Sequence, residues 1–155
     1  MRKQRLDGME SRMGPAAVVN PLTDALGLTD VAMNYYELDP GDSFAYGFHA
    51  HAEQEEVFYV TRGTVTFETE TDDVEVSAGE LVRFAPGEFQ RGVNEGEEPV
   101  HALAVGAPQE TGGSVVLREC PTCGDHTEQA IELAEGRDAV VARCEECGTE
   151  TGRFD

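Results

Sequence analysis

Apolar and polar positions alternate along this chain in short runs, and they do not recur at helical spacing. Between residues 31 and 105, runs rich in Val, Phe, Tyr and Thr close every few residues at Gly, Pro or Asp. Alternation with a period of two, punctuated in this way, predicts β-strands joined by tight turns. Strands are predicted near 31–38, 44–50, 56–61, 64–70, 73–76, 81–84, 89–92 and 99–105. The turns fall at DPGD, TRG, TDD, SAGE, APGE and NEGEEP. No helical pattern separates the strands, which disfavours a parallel sheet with crossover helices and predicts an all-β sandwich or barrel. The one helical signal is PLTDALGL, with Thr23 or Asp24 as its expected cap.

The same pattern divides the chain. Residues 1–30 are an N-terminal extension of mixed character, and residues 31–107 are the barrel. The small and polar stretch GAPQETGGS reads as a linker, assigned to 108–115, and residues 116–155 form a separate unit. All four cysteines lie in that last unit, as Cys120-x2-Cys123 and Cys144-x2-Cys147 with twenty residues between the pairs. Two matched pairs at this spacing predict one tetrahedral zinc site, with a redox dithiol as the main alternative. Gly124 and Gly148 follow the second cysteine of each pair and permit a tight knuckle turn. The stretch is similar to a zinc ribbon, and a structural zinc is expected to staple a unit too small for a large core.

Charge narrows the partners. Thirty-one acids face eleven bases, for a net charge of -20, and Lys3 is the only lysine. Small domains stay soluble with a net charge of roughly 2–8, so self-repulsion in this one is large. At about 1 M salt the Debye length is about 3 Å and most of that repulsion is screened. The acid excess, the scarcity of lysine and the absence of Trp resemble proteins of salt-accumulating halophilic archaea. Phosphate-backbone binding needs a basic surface, so nucleic acid is disfavoured as a partner. Arg2, Lys3, Arg5 and Arg12 read as a solvated tail. No run approaches a membrane span, and the N-terminus lacks the apolar stretch of a secretory signal, so a cytoplasmic protein is expected.

The chemistry concentrates in FHAHAEQEEVFYV. His49 and His51, at i and i+2 on a strand, point the same way. Glu56 opens the next strand, on one face with Phe58 and Val60. Two imidazoles and a carboxylate with open positions suit a divalent transition metal such as Fe, Mn, Ni or Zn. From His49 to Gly63 the chain resembles the first motif of the cupin superfamily: H-x-H, four residues, Glu56, six residues, Gly63. The motif's leading Gly is displaced, because Gly41 lies two residues too far upstream. GELVRFAPGEFQRGVN resembles the second motif, with Gly79, Gly87 and Asn94 in place. Ala85 stands where proline is usual, and Gln90 stands where the family's histidine is usual.

The resemblance implies a double-stranded β-helix (jelly-roll) barrel over roughly residues 31–107, with a metal held by His49, His51, Glu56 and Gln90. An amide oxygen is a neutral and weaker donor than imidazole, so Gln90 shifts preference towards harder ions. His101 alternates with Leu103 and Val105 and is a candidate to point into the barrel near the metal, supporting a ligand or carrying a proton, with ordinary packing or exposure as the alternative. Tyr46, Phe58, Phe84 and Phe89 are candidate pocket walls. Two functions remain open. One is a metal-dependent enzyme, of dioxygenase or isomerase type, on a small molecule. The other is a small-ligand-binding or regulatory module that contacts a protein through its zinc ribbon. A homodimer through the barrel is a further expected partner.

Overall fold

The computed structural model describes residues 1–155. The N-terminal extension contributes β1 (Val18–Pro21) and α1 (Leu22–Leu26). The barrel is built from β2 (Ala32–Leu38), β3 (Phe48–His51), β4 (Glu55–Arg62), β5 (Thr64–Thr69), β6 (Val74–Ser77), β7 (Leu81–Phe84), β8 (Gln90–Val93) and β9 (Val100–Ala107). The cysteine-bearing unit follows as β10 (Ser114–Cys120), β11 (Asp125–Leu133), β12 (Val140–Cys144) and β13 (Glu150–Phe154). All strand pairs are antiparallel. They form one sheet of order β1-β2-β9-β4-β7 and another of order β13-β12-β11-β10-β3-β8-β5-β6. No helix is long and apolar enough to cross a membrane.

The alternation read from the sequence is what closes the barrel. On β9, Val100, Ala102 and Ala104 are buried while His101, Leu103 and Val105 are not. Phe58 and Val60 of β4 meet Val65 and Phe67 of β5 in one core cluster that joins the two sheets. Phe44, Phe58, Phe67 and Phe84 pack ring to ring through it, with neighbouring centroids 4.8 to 5.2 Å apart. Burying each such ring contributes about 1.5–3 kcal/mol.

Three local expectations are corrected. The strand expected at 44–50 begins only at Phe48, because the chain bends through 44–47. The bend swings Phe44 into the core, where its amide donates to Gly92 O at 3.0 Å. Helix α1 has neither Thr23 nor Asp24 as its cap; Pro21 holds that position without a side-chain hydrogen bond. Thr23 instead grips β2, its hydroxyl accepting from Met33 N at 2.8 Å and donating to Met33 O at 3.2 Å. Finally, Ser114 and Val115, assigned to the linker, belong to β10.

That last difference changes how the two parts relate. β10 hydrogen-bonds along β3, with Ser114 opposite His51 and Val116 opposite His49. A side chain at Gly47 would bring its Cβ to 2.5 Å from Leu117 O, so the close approach requires glycine there. Arg118 clamps the junction: its guanidinium donates to Tyr46 O and to Thr151 O and lies over the Phe154 ring. The cysteine-bearing unit therefore continues a barrel sheet.

Candidate metal centres

β3 and β8 set His49 directly opposite Gln90, and Glu56 enters from the facing sheet at the start of β4. His51 Nε2 lies 3.6 Å and His49 Nε2 3.9 Å from Glu56 Oε2. One ligand atom from each of these three residues falls within 4.8 Å of the others, close enough for one ion to bind all three. Both rings are oriented through their other nitrogen. His49 Nδ1 lies 3.2 Å from Gly47 O, and His51 Nδ1 lies 2.7 Å from Ser114 Oγ. Donation from Nδ1 to Gly47 O fixes the His49 tautomer that leaves Nε2 free to bind a metal. Burial is the largest influence on His49 and pushes its pKa down, which favours that neutral form, although Glu56 opposes it.

Gln90 supplies the test of fit. It is buried, and its amide nitrogen donates to Glu56 Oε2 at 3.2 Å and sits 3.3 Å from His49 Nε2. Its Oε1 is buried with no hydrogen-bond partner. A buried carbonyl oxygen without a partner costs about 1–3 kcal/mol. A half-turn of the amide exchanges the two ends and presents that oxygen to the same point as the imidazoles and the carboxylate. The donor set of two imidazoles, a carboxylate and an amide oxygen suits a divalent cation.

The site opens into a pocket of about 400 Å³. Ala32, Asn34 and Tyr36 of β2 line it, as do Tyr46, Phe58 and Gln54. Val116 and Ile131 come from β10 and β11, so the C-terminal unit forms part of the wall. Tyr36 is held protonated, chiefly by burial and also by the charge of Glu56. Of the aromatic walls expected, Tyr46 and Phe58 line the pocket, and Phe84 flanks a small cleft behind the ligand cluster. Phe89 instead stacks on Phe48, away from the pocket.

His101 is not beside the site. The interior positions of β9 are 100, 102 and 104, so His101 faces outward. There its Nδ1 lies 2.7 Å from Tyr35 OH and 3.9 Å from Glu37 Oε1. Tyr36, Asn34 and Ser114 are pocket or supporting residues that the sequence reading passed over. For the first two a signal existed, since they share a strand face with buried Leu38.

The four cysteines form a second cluster, with all ligand atoms within 4.8 Å of one another. Cys120 and Cys147 sulfurs are 3.6 Å apart, and Cys123 and Cys144 sulfurs 3.8 Å. All four thiols are free. A tetrahedral zinc with Zn–S of about 2.3 Å sets its sulfurs about 3.8 Å apart, so the spacing fits that ion. The two knuckles match: Gly124 N donates to Cys120 O and Gly148 N to Cys144 O, each at 2.8 Å, with both glycines at φ 76°. The Thr149 side chain, 3.2 Å from Cys147 Sγ, leads the influences that pull that thiol down to about 6, towards the thiolate a metal needs.

Fold and site together are those of a two-sheet jelly-roll barrel in which two histidines and a glutamate converge on one point. The Cupin domain family model matches residues 34–106. That match takes in most of the barrel, from β2 to β9. Comparison with curated proteins returns no match. Among solved structures, the chain is similar to a cupin-superfamily sugar phosphate isomerase from Silicibacter pomeroyi, at 23% identity and TM-score 0.64 over 96% of this chain and 91% of that one. A Cupin 2 conserved barrel domain protein from Salinispora arenicola is similar at 19% identity and TM-score 0.59, over 69% of this chain and 88% of that one. A protein from Thermotoga maritima described as a predicted oxalate decarboxylase is similar at 22% identity and TM-score 0.58, over 67% and 96% of the two chains. These likenesses speak to the fold.

Proposed function

We propose that this protein is a metal-dependent enzyme of the isomerase type, acting on a small hydroxylated molecule in the barrel pocket. The observation that carries the reading is the convergence of His49, His51 and Glu56, all lining a pocket of about 400 Å³, next to Gln90 with its unpartnered Oε1. These four residues would hold the ion. A bound divalent cation supplies Lewis acidity towards a carbonyl or hydroxyl oxygen. Gly47 O and Ser114 orient the two imidazoles, while Tyr36 offers a protonated phenol at the pocket wall, a group able to donate to a substrate oxygen. Gln90 favours a harder, redox-inactive ion over the electron-donating metal of a dioxygenase. The similarity to a sugar phosphate isomerase agrees with that choice. The four cysteines would hold a structural zinc.

Metal content tests the reading directly. Protein purified in high salt without added metal is expected to carry about two ions per chain, one of them zinc. The His49→Ala/His51→Ala variant is expected to keep the zinc and lose the other. One zinc in both samples would sink the barrel-metal reading. If the second ion is present but no aldose–ketose interconversion is detected, the barrel is a ligand-binding module, with the ribbon free to meet a protein partner. Iron with oxygen uptake would assign the dioxygenase type.

A further inference from the structure

We infer that Arg12 is the anion-binding end of the barrel pocket, so that the ligand carries a carboxylate or phosphate remote from the group facing Glu56 and the histidines. The inference rests on the pocket reading above, and its first support is that none of the residues lining the main pocket is lysine or arginine. A second cavity, of about 180 Å³, abuts the first and shares Asn34, Tyr36, Phe44 and Tyr46 with it. Arg12 lines this second cavity. Of the four basic residues near the N-terminus, it alone reaches either space.

Arg12 is not part of a solvated tail. Its amide donates to Val19 O at 2.9 Å, and Val19 N donates to Ser11 Oγ at 2.9 Å. Tyr46 OH donates to Met13 O at 3.3 Å, fastening the next residue to the pocket wall. These bonds hold the segment against β1 and against Tyr46 of the pocket wall. The only carboxylate near the guanidinium is Asp24, 3.7 Å away with both side chains exposed, a contact worth little in water. Most of the five N–H donors of Arg12 therefore remain available to a ligand.

Tyr36 lies electrically between the two ends. The carboxylate of Glu56 pushes its phenol up, and the guanidinium of Arg12 pulls it down. Arg12 acts in the same direction on Tyr46. A ligand extending from Glu56 past Tyr36 thus arrives at a positive group. In a molecule of net charge -20, an anionic ligand is repelled at long range, and a local guanidinium is the feature that offsets the repulsion.

The test uses the full-length chain loaded with manganese(II) and three matched probes: D-ribose, D-ribonate and D-ribose 5-phosphate. Calorimetric titration at fixed ionic strength is expected to show at least one anionic probe binding about tenfold tighter than ribose, the gain of a charge-assisted hydrogen bond. Whichever anion shows the larger gap identifies the source as carboxylate or phosphate. Arg12→Ala is expected to close the gap while leaving ribose affinity and metal content unchanged, and Arg12→Lys to keep part of it. A gap that survives Arg12→Ala, or a wild type that favours neither anion over ribose, overturns the proposal. Failure of the metal reading shows separately, as unchanged metal content in the His49→Ala/His51→Ala variant.

Discussion

Gln90 and Ser114 show how much a single side chain decides at this site. One carries a buried amide oxygen without a partner next to the ligand cluster, and the other holds His51 by a 2.7 Å contact. Replacing either with alanine is expected to lower barrel-metal affinity about tenfold, the usual scale for a weak or supporting ligand. Competition with a metal chelator measures the loss, and circular dichroism checks that the fold persists. Undiminished affinity in both variants would remove them from the metal's surroundings. His49, His51 and Glu56 were legible in the sequence because they sit on consecutive strands, where alternation fixes their facing. Ser114 was not, since it reaches His51 from 63 residues away through strand pairing. His101 was misplaced for a related reason. Alternation fixes which residues share a face, but Val100, Ala102 and Ala104 decide which face is inside.

β10 is the element that joins the two candidate centres. At one end Ser114 supports His51, and at the other Cys120 belongs to the sulfur cluster. The stretch before it has the composition of a flexible linker, and nothing in its residues announces that the next strand will pair with β3. That pairing depends on Gly47 and on the Arg118 clamp, both remote in sequence. Replacing Cys144 and Cys147 by serine is expected to release β11 to β13 first. Limited proteolysis should then cut beyond residue 120 while β2 to β9 stay protected. A cleavage pattern identical to that of the wild type would contradict a zinc-stapled unit.

At the scale of the whole molecule, charge is the dominant feature, and it was readable from composition alone. With thirty-one acids against eleven bases, the folded state concentrates repulsion that the unfolded chain relieves. We therefore expect the melting temperature to rise between low and molar KCl, as the Debye length shortens. Thermal unfolding followed by circular dichroism across that range checks it, and a melting temperature that stays flat would remove the salt-adapted reading. The eight-stranded sheet ends at β13 and β6, so β3 is an interior strand only while β10 lies beside it. Unpaired strand edges are templates for other chains. Stripping the cysteine cluster would then do more than loosen a small appendage. If β10 followed, the row of backbone donors and acceptors beside His49 and His51 would lie bare along β3. The cysteine unit is in this sense an edge guard, which keeps the strand of His49 and His51 from recruiting a stranger's.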